Sequence, residues 1–352
     1  MNLAVNRLPS TTWNRLGMNV STVSLEEKLE NHIPAADYDP AEILWNGDYD
    51  GKAESLSGDL SAVTETASLG FGRTESGVNM QAPLVLSYAY GNGEKAASRL
   101  TLQAEADSHL KAIVILQSPM EAELTSVLQA NLFAGKNAVL DLYLVDLLGS
   151  EALCLNHIAG LAEDNARINL IRLDLGGRQI YSGVNMDLSG ADSSFSSETG
   201  YHVKPGQVLD MNYVAVHNGK RTLSQMEVNG TLEEGAKKIF RGTIDFRQGC
   251  AGAKAGENEN VMLMGEQMIN QTIPVILCKE EDVEGNHGAS IGQLDDKVLF
   301  YLGSRGISRK AAQAIIAQAR IDAICEKIPE DAVKQQIREF EEVRGISHGE
   351  EF

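Results

Sequence analysis

The sequence predicts a mainly β protein built on a β-solenoid, with a helical unit at its C-terminal end. Three observations carry that expectation. From about residue 83 to 278 nearly every segment alternates Leu, Ile or Val with small or polar residues, as in "APLVLSYAY", "HLKAIVILQS" and "ARINLIRLDLGG", the period-two pattern of extended strands. Small-residue turns recur between them, "AEADS" at Ala104, "AGKNA" at Ala134, "AEDNA" at Ala162 and "SGADS" at Ser189, with "LEEGAK" at Leu232 as a looser echo; the interval is roughly 27 to 30 residues. After Leu294 the alternation gives way to helical spacing.

Stacked coils explain such a repeat, because each coil buries its apolar face only against its neighbours. An aromatic content of 5% suits a narrow lumen filled with aliphatic side chains. No amphipathic helix separates the strands, which argues against alternating β-α-β architecture. A β-sandwich is the alternative that the turn signals leave open.

Taken in order, residues 1–80 read as an N-terminal helix and loop segment. Ser24 and Glu27 have capping-box spacing ahead of "SLEEKLENHI", which predicts a short helix there. Small, polar, weakly periodic sequence from Gly51 to Gly77 predicts a mobile loop or lid. Residues 81–290 are the solenoid core, and residues 291–352 a helical unit. Ser308 is the expected N-cap of a helix whose apolar stripe is Ala312, Ile315, Ile316, Ala319, Ala323 and Ile324. A second helix opens after Pro329 and carries Val333, Ile337 and Phe340 at helical spacing.

Composition excludes several functions. The 352 residues carry a formal net charge of −19, which opposes nucleic-acid binding, since that relies on Lys and Arg displacing counterions from phosphate. The N-terminal stretch has no long apolar segment, and no window is long enough to span a bilayer, so a cytoplasmic protein is expected. Cys154, Cys250, Cys278 and Cys325 are widely separated and form no CxxC pair, which reads as reduced core or surface thiols. No GxxxxGK[ST] or GxSxG element is present, so neither nucleotide hydrolysis nor a serine nucleophile is expected. His109, His157, His202 and His217 lack metal-ligand spacing and read as ordinary core or surface residues.

The residues of real interest lie further on. In "GNHGASIGQLDDKVLFYLGSRGIS", from Gly285 to Ser308, His287 sits between Asn286 and Gly288 where strand-like sequence turns helix-like. Preceded by "NVMLMGEQMINQTIPVILCKEEDVEGN", this run resembles the core signature of the SufB/SufD family of iron-sulfur cluster assembly proteins. The resemblance is close over the last third of the chain, extends to the organisation of the core, and is weak at the N-terminus; the chain is shorter than many members.

It implies a right-handed parallel β-helix, a C-terminal region that docks the SufC ATPase, and pairing with a SufB-type paralogue through the β-helices; whether the isolated chain forms a homodimer stays open. An iron-sulfur cluster held transiently at the subunit interface would be the cargo, passed on to apo-proteins. His287 is the residue carried over as candidate iron or cluster ligand; a neutral imidazole is a good iron ligand. Leu299, Phe300, Tyr301, Leu302, Arg305, Ile315 and Ile316 are the expected docking residues.

Two departures matter. Where SufB-type members carry a cysteine, this chain has Glu259 and Asn260, which points to a SufD-like role. Many SufD-like sequences carry a cysteine two residues before the histidine, where this chain has Gly285. Cys278 follows the buried-strand pattern "IPVIL" and reads as a packed or interface thiol, and Glu280, Glu281 and Asp282 read as a solvated turn. The expected function is a non-enzymatic SufD-like scaffold; the alternatives are a β-helix carbohydrate-active enzyme and a structural homodimer without cluster chemistry.

Overall fold

The computed structural model describes residues 1–345 apart from 13, 26–27, 53–55 and 57. The N-terminal segment contributes five short strands: β1 (Asn2–Val5), β2 (Ser21–Ser24), β3 (Glu30–Asn31), β4 (Ala35–Asp37) and β5 (Leu44–Trp45). A one-turn helix α1 (Ser61–Thr64) follows. The solenoid then runs through β6 (Leu69–Arg73) and β7 (Leu84–Ala89), β8 (Lys95–Ala104) and β9 (His109–Gln117), β10 (Thr125–Ala134) and β11 (Val139–Leu147), β12 (Leu153–Ala162) and β13 (Arg167–Asp174). It continues through β14 (Gln179–Leu188) and β15 (Ser194–Val203), β16 (Val208–His217) and β17 (Leu223–Leu232), β18 (Lys237–Phe246) and β19 (Ala253–Leu263), and ends with β20 (Ile269–Cys278) and β21 (Val283–Gly292). Helices α2 (Asp296–Ser304), α3 (Arg309–Cys325) and α4 (Asp331–Val343) complete the chain.

Successive strands alternate between two facing sheets. The even-numbered strands β6 to β20 form one and the odd-numbered strands β7 to β21 the other, all in parallel register. This is a solenoid and not a sandwich, because the chain crosses to the other sheet after every strand.

The recurring turns have a shared backbone cause. Asp107, Asn137, Asn165 and Asp192 sit at the fourth position of the four repeated motifs, and each is left-handed, with φ between 57° and 59°. Asn and Asp tolerate that region better than other residues with side chains. Their N–H groups reach the next coil, Asp107 to Lys136 O at 2.9 Å and Asn137 to Asp164 O at 2.9 Å. The side chains form their own ladder: Asn137 Nδ2 donates to Asp107 Oδ1 at 2.7 Å and Asn165 Nδ2 to Asn137 Oδ1 at 3.0 Å. "LEEGAK" belongs to the opposite corner, between β17 and β18, where Gly235 takes φ 76°. Each coil has two corners, so the echo is of a different turn.

One continuous apolar core fills the lumen from Leu84 and Leu86 to Phe246 and Val261. Both outer faces are covered as well. On the odd-strand sheet Ile113, Ile115, Val145, Leu147, Leu173 and Leu175 pack against Ile321, Ile324, Ile328, Val333 and Ile337 of the helical unit. On the even-strand sheet Val127 and Leu155 pack under Val5, Val23, Leu25 and Leu60.

Three expectations are corrected. The helix predicted from Ser24 is absent from the described residues: Ser24 ends β2 and Glu30–Asn31 is β3, while Glu27 lies outside the described residues. Leu25 is instead spent on the N-terminal cluster, a tertiary contact that outweighs local helix propensity. The stretch read as a loop, 51–77, contains α1 and β6, with Leu60 and Phe71 each 2% exposed, so the solenoid begins before residue 81. On α3 the buried face is Ala312, Ala317, Ile321, Ile324 and Cys325, whereas Ile315, Ala319 and Ala323 are exposed. Docking against the outer face of β13, β15 and β17 selects that face, which propensity alone does not.

The N-terminal segment is pinned by one buried ion pair. Arg241 and Asp210 lie on the outer face of the even-strand sheet with Nη1 to Oδ1 at 2.5 Å, and both are buried. Arg241 Nε donates to Met18 O at 2.6 Å, Asn6 Nδ2 to Asp210 Oδ1 at 2.7 Å, and Ser21 Oγ to Asp210 Oδ2 at 2.5 Å. Asp210→Ala leaves a buried guanidinium without its counter-charge and is expected to cost about 3–5 kcal/mol, measured by urea denaturation.

Candidate functional site at the open end of the solenoid

The two ends of the solenoid differ. At the N-terminal end β4 pairs antiparallel with β7 and β5 with β6, so both sheets are closed by reversed strands. At the other end no strand among the described residues lies beyond β20 or β21. Two strand edges are therefore free to accept another chain.

His287 stands at the middle of β21, not at the strand-to-helix junction, and it is exposed. Its in-register neighbour one coil back is Glu257. A Cβ on Gly285 would meet the Phe246 ring at 2.8 Å, while one on Gly288 would meet Asn258 Oδ1 at 3.0 Å. Phe246 belongs to the lumen and Asn258 is exposed, so strand alternation puts residue 287 on the lumen side with Gly285. The imidazole thus belongs to the open mouth of the solenoid.

Beneath that mouth polar side chains enter the lumen beside Phe246 and Val261. Lys238 pairs with Glu259, both fully buried, and Thr272 Oγ1 donates to Glu259 Oε2 at 2.5 Å. Burial pushes the Lys238 ammonium down, opposed by the Glu259 charge. Glu257 is 2% exposed, and its Oε2 has no hydrogen-bond partner among the described residues. Burial, reinforced by the Glu259 charge, pushes its carboxyl up to about 8. Gly242 makes the space: a Cβ there would lie 2.2 Å from the Glu257 carboxyl.

The remaining candidates are separated from His287. Cys278 ends β20 with its thiol exposed, not packed, and Sγ donates to Glu280 O at 3.0 Å. The Glu280 carboxylate accepts from Gly249 N at 2.9 Å and Glu281 N at 3.0 Å, bonds that hold its carboxyl below the usual range. Among the described residues no three His, Cys, Asp or Glu side chains converge on a metal-sized space. His287 therefore belongs to no three-ligand cluster among the described residues. Cys154, Cys250 and Cys325 are buried and free. His157, His202 and His217 are buried, and His109 is bonded to Asp141 at 2.7 Å.

The expected docking residues lie beside this end. Phe300 is 80% exposed, Tyr301 56% and Ile315 41%, while Leu299, Leu302 and Ile316 are half-buried. Arg305 is exposed and stacks on Tyr301 at 5.3 Å. Asp295 caps α2 by accepting from Lys297 N at 2.8 Å, and Ser308 caps α3 by accepting from Ala311 N at 3.2 Å. Phe300 and Tyr301 on α2 and Ile315 on α3 are thus large apolar side chains left exposed on adjoining helices. Among the described residues, no helix is long and apolar enough to cross a membrane.

Glu257, Lys238 and Pro274 were not singled out in the sequence. Their signal is parity: a charged residue in phase with lumen residues, or a proline in a strand, which marks an edge.

The fold and site together define a β-solenoid with one capped and one open end and a helical hairpin on its flank. The family description that matches residues 88–320, about two thirds of the chain, is "SUF system FeS cluster assembly, SufBD core domain". The chain belongs to this SufB/SufD family. It is 29% identical over 122 residues to the iron-sulfur cluster assembly protein SufD of Bacillus subtilis, covering 35% of this chain and 28% of that protein. It is 28% identical over 177 residues to SufD of Escherichia coli, covering 50% of this chain and 42% of that protein. An iron-sulfur cluster assembly SufBD family protein of Staphylococcus saprophyticus is 24% identical over 169 residues, 48% of this chain and 36% of that protein. The matches thus span less than half the length of these relatives.

The Glu257 carboxyl gives a signed pH effect. Its folded value is raised from 4.5 to about 8, so the stability it contributes is fully present below about pH 4.5 and is lost as pH rises through 8. Glu257→Gln removes that dependence, and the wild-type urea midpoint is expected to fall relative to the variant between pH 5 and pH 9.

Proposed function

We propose that this chain is a SufD-like, non-catalytic scaffold subunit of a SUF iron-sulfur cluster assembly complex, acting with a SufB-type paralogue and a SufC-type ABC ATPase in the cytoplasm. The observation that carries the proposal is the open terminal coil with His287 exposed at the centre of its edge strand, in a chain of this family. A second solenoid docked on that edge would bring its own donors opposite the imidazole. The nascent cluster is cargo at that interface, and His287 supplies one nitrogen ligand to it. Phe300, Tyr301 and Ile315 are the anchors for the ATPase, and no nucleotide is bound by this subunit itself. ATP turnover in the partner would shift the docked helical units and open the interface at His287.

The test is anaerobic affinity purification of the tagged protein, with co-eluting subunits identified by mass spectrometry. Recovery of an ABC-type ATPase and a second solenoid subunit is the expected result; recovery of the chain alone under conditions that preserve such complexes would sink the proposal. In the recovered complex His287→Ala should leave subunit stoichiometry unchanged and lower iron content after reconstitution. Replacing Phe300 and Tyr301 together by Ala should weaken ATPase association by about tenfold or more, as loss of aromatic anchors does elsewhere, with an unchanged far-UV spectrum.

A further inference from the structure

The helical unit holds a buried carboxyl that the scaffold role leaves unused. Glu341 lies one turn beyond Ile337 on the buried face of α4 and is 1% exposed. Its partner is on the neighbouring helix. Gln318 Nε2, on α3, donates to Glu341 Oε2 at 2.7 Å and to Asp322 Oδ1 at 3.0 Å. A primary amide carries two N–H groups, so both are spent.

Two oxygens are left over. Glu341 Oε1 and Gln318 Oε1 are both shut off from solvent, and neither has a hydrogen-bond partner among the described residues. Turning the amide over does not help, because its carbonyl would then face the oxygens of Glu341 and Asp322. Buried acceptors without a donor are destabilising, and these two belong to groups already joined by a hydrogen bond. A single proton satisfies both. Placed on Glu341 Oε1 it supplies an O–H for Gln318 Oε1, while Gln318 Nε2 keeps its bond to Glu341 Oε2, and acid and amide close a ring of two hydrogen bonds.

Charges reach Glu341 from each element packed around it. Asp322 of α3 opposes a second negative charge, whereas Arg344 and Arg338 of α4 favour one. Burial outweighs the arginines and pushes the Glu341 carboxyl up to about 7. Cys325 of α3 faces it as a neutral thiol, pushed up to about 11 by burial. Arg338 is turned to Glu326 at 2.7 Å. Arg344 lies over the Phe340 ring at 5.5 Å and feels the charges of Asp146 and Glu233 from the solenoid. Glu233 is itself bonded to His202 at 2.8 Å, and Lys204 donates to the Arg344 carbonyl. The buried Arg344 Nη1 has no partner among the described residues.

We propose that Glu341 and Gln318 share a proton that latches α4 to α3, and that loss of this proton to solvent releases α4. The carboxylate then turns to Arg344 Nη1, three residues along its own helix, and the bond between the helices is given up. The occupant is a proton and not a metal ion, because neither leftover oxygen is open to anything the size of water. The two states differ in which partner Glu341 holds, which is what lets pH move the balance between them.

The folded value lies above the ordinary 4.5, so the stability that the proton contributes is fully present below about pH 4.5 and is lost as pH rises through 7. Hydrogen exchange along α4 of the full chain, corrected for the intrinsic pH dependence of exchange, reads this directly. Wild-type protection should fall about tenfold between about pH 6 and pH 8, while β12 and β14 in the middle of the solenoid keep theirs. Glu341→Gln sets two amides face to face with the same ring of bonds and no proton to lose, so its α4 protection should stay level. In infrared spectra of glutamate-labelled protein, a protonated-carboxyl band should be present in wild type at about pH 6, missing from Glu341→Gln, and about tenfold smaller at about pH 8. Should Glu341→Gln misfold, Asp322→Asn removes the opposing charge and should move the wild-type transition to lower pH. Level wild-type protection across this range overturns the proposal, as does a folded Glu341→Gln with the wild-type pH dependence, a band that Glu341→Gln retains in full, or a transition that Asp322→Asn leaves in place.

Discussion

In-register parallel stacking is the constraint on which the rest of this structure depends. Each lumen side chain rests on the residue about one coil away, so size must be balanced from coil to coil. Gly160 lies where a Cβ would touch Met186 Sδ at 2.4 Å, and Gly230 where it would strike the Tyr201 ring at 2.3 Å. Charge must be balanced in the same way: Arg172, fully buried in phase with Ile168 and Leu170, is held by both carboxylate oxygens of Asp174 and by Asn156 Oδ1 at 2.6 Å. Buried ions so placed are tolerated only as bonded sets.

Stacking also fixes what the two termini do. A solenoid leaves two broad apolar faces and two ends to be covered. The N-terminal segment takes the even-strand face and returns through β4 and β5 to close one end. The C-terminal helices take the odd-strand face. The far end remains open, and there Lys238, Glu257 and Glu259 share the lumen with Phe246 and Val261.

That polarity gives the open end its functional character. An aliphatic lumen exposed at the mouth would be a general hydrophobic patch, prone to unspecific pairing. Here the mouth carries an imidazole above buried carboxylates, the edge carries a proline, and the corners carry negative charge. Specific docking by a complementary chain is the use proposed for this edge.

The sequence by itself determined the solenoid, its coil spacing and its helical ending, because period-two alternation and left-handed Asn and Asp turns are local properties that recur at each coil. It also pointed to His287 through a long motif. What it did not contain was the side each residue takes. Leu25 sits in a strong capping-box context yet packs as a tertiary anchor, and the face α3 buries is decided by the sheet it meets. Only the tertiary structure decided that residue 287 belongs to the lumen side above Glu257, that Cys278 lies exposed at an edge, and that Lys238 and Glu259 face each other inside. The physical reason is that coil-to-coil register and outer-face coverage are non-local: they bring together residues some thirty positions apart or more, whose partnership no local pattern specifies.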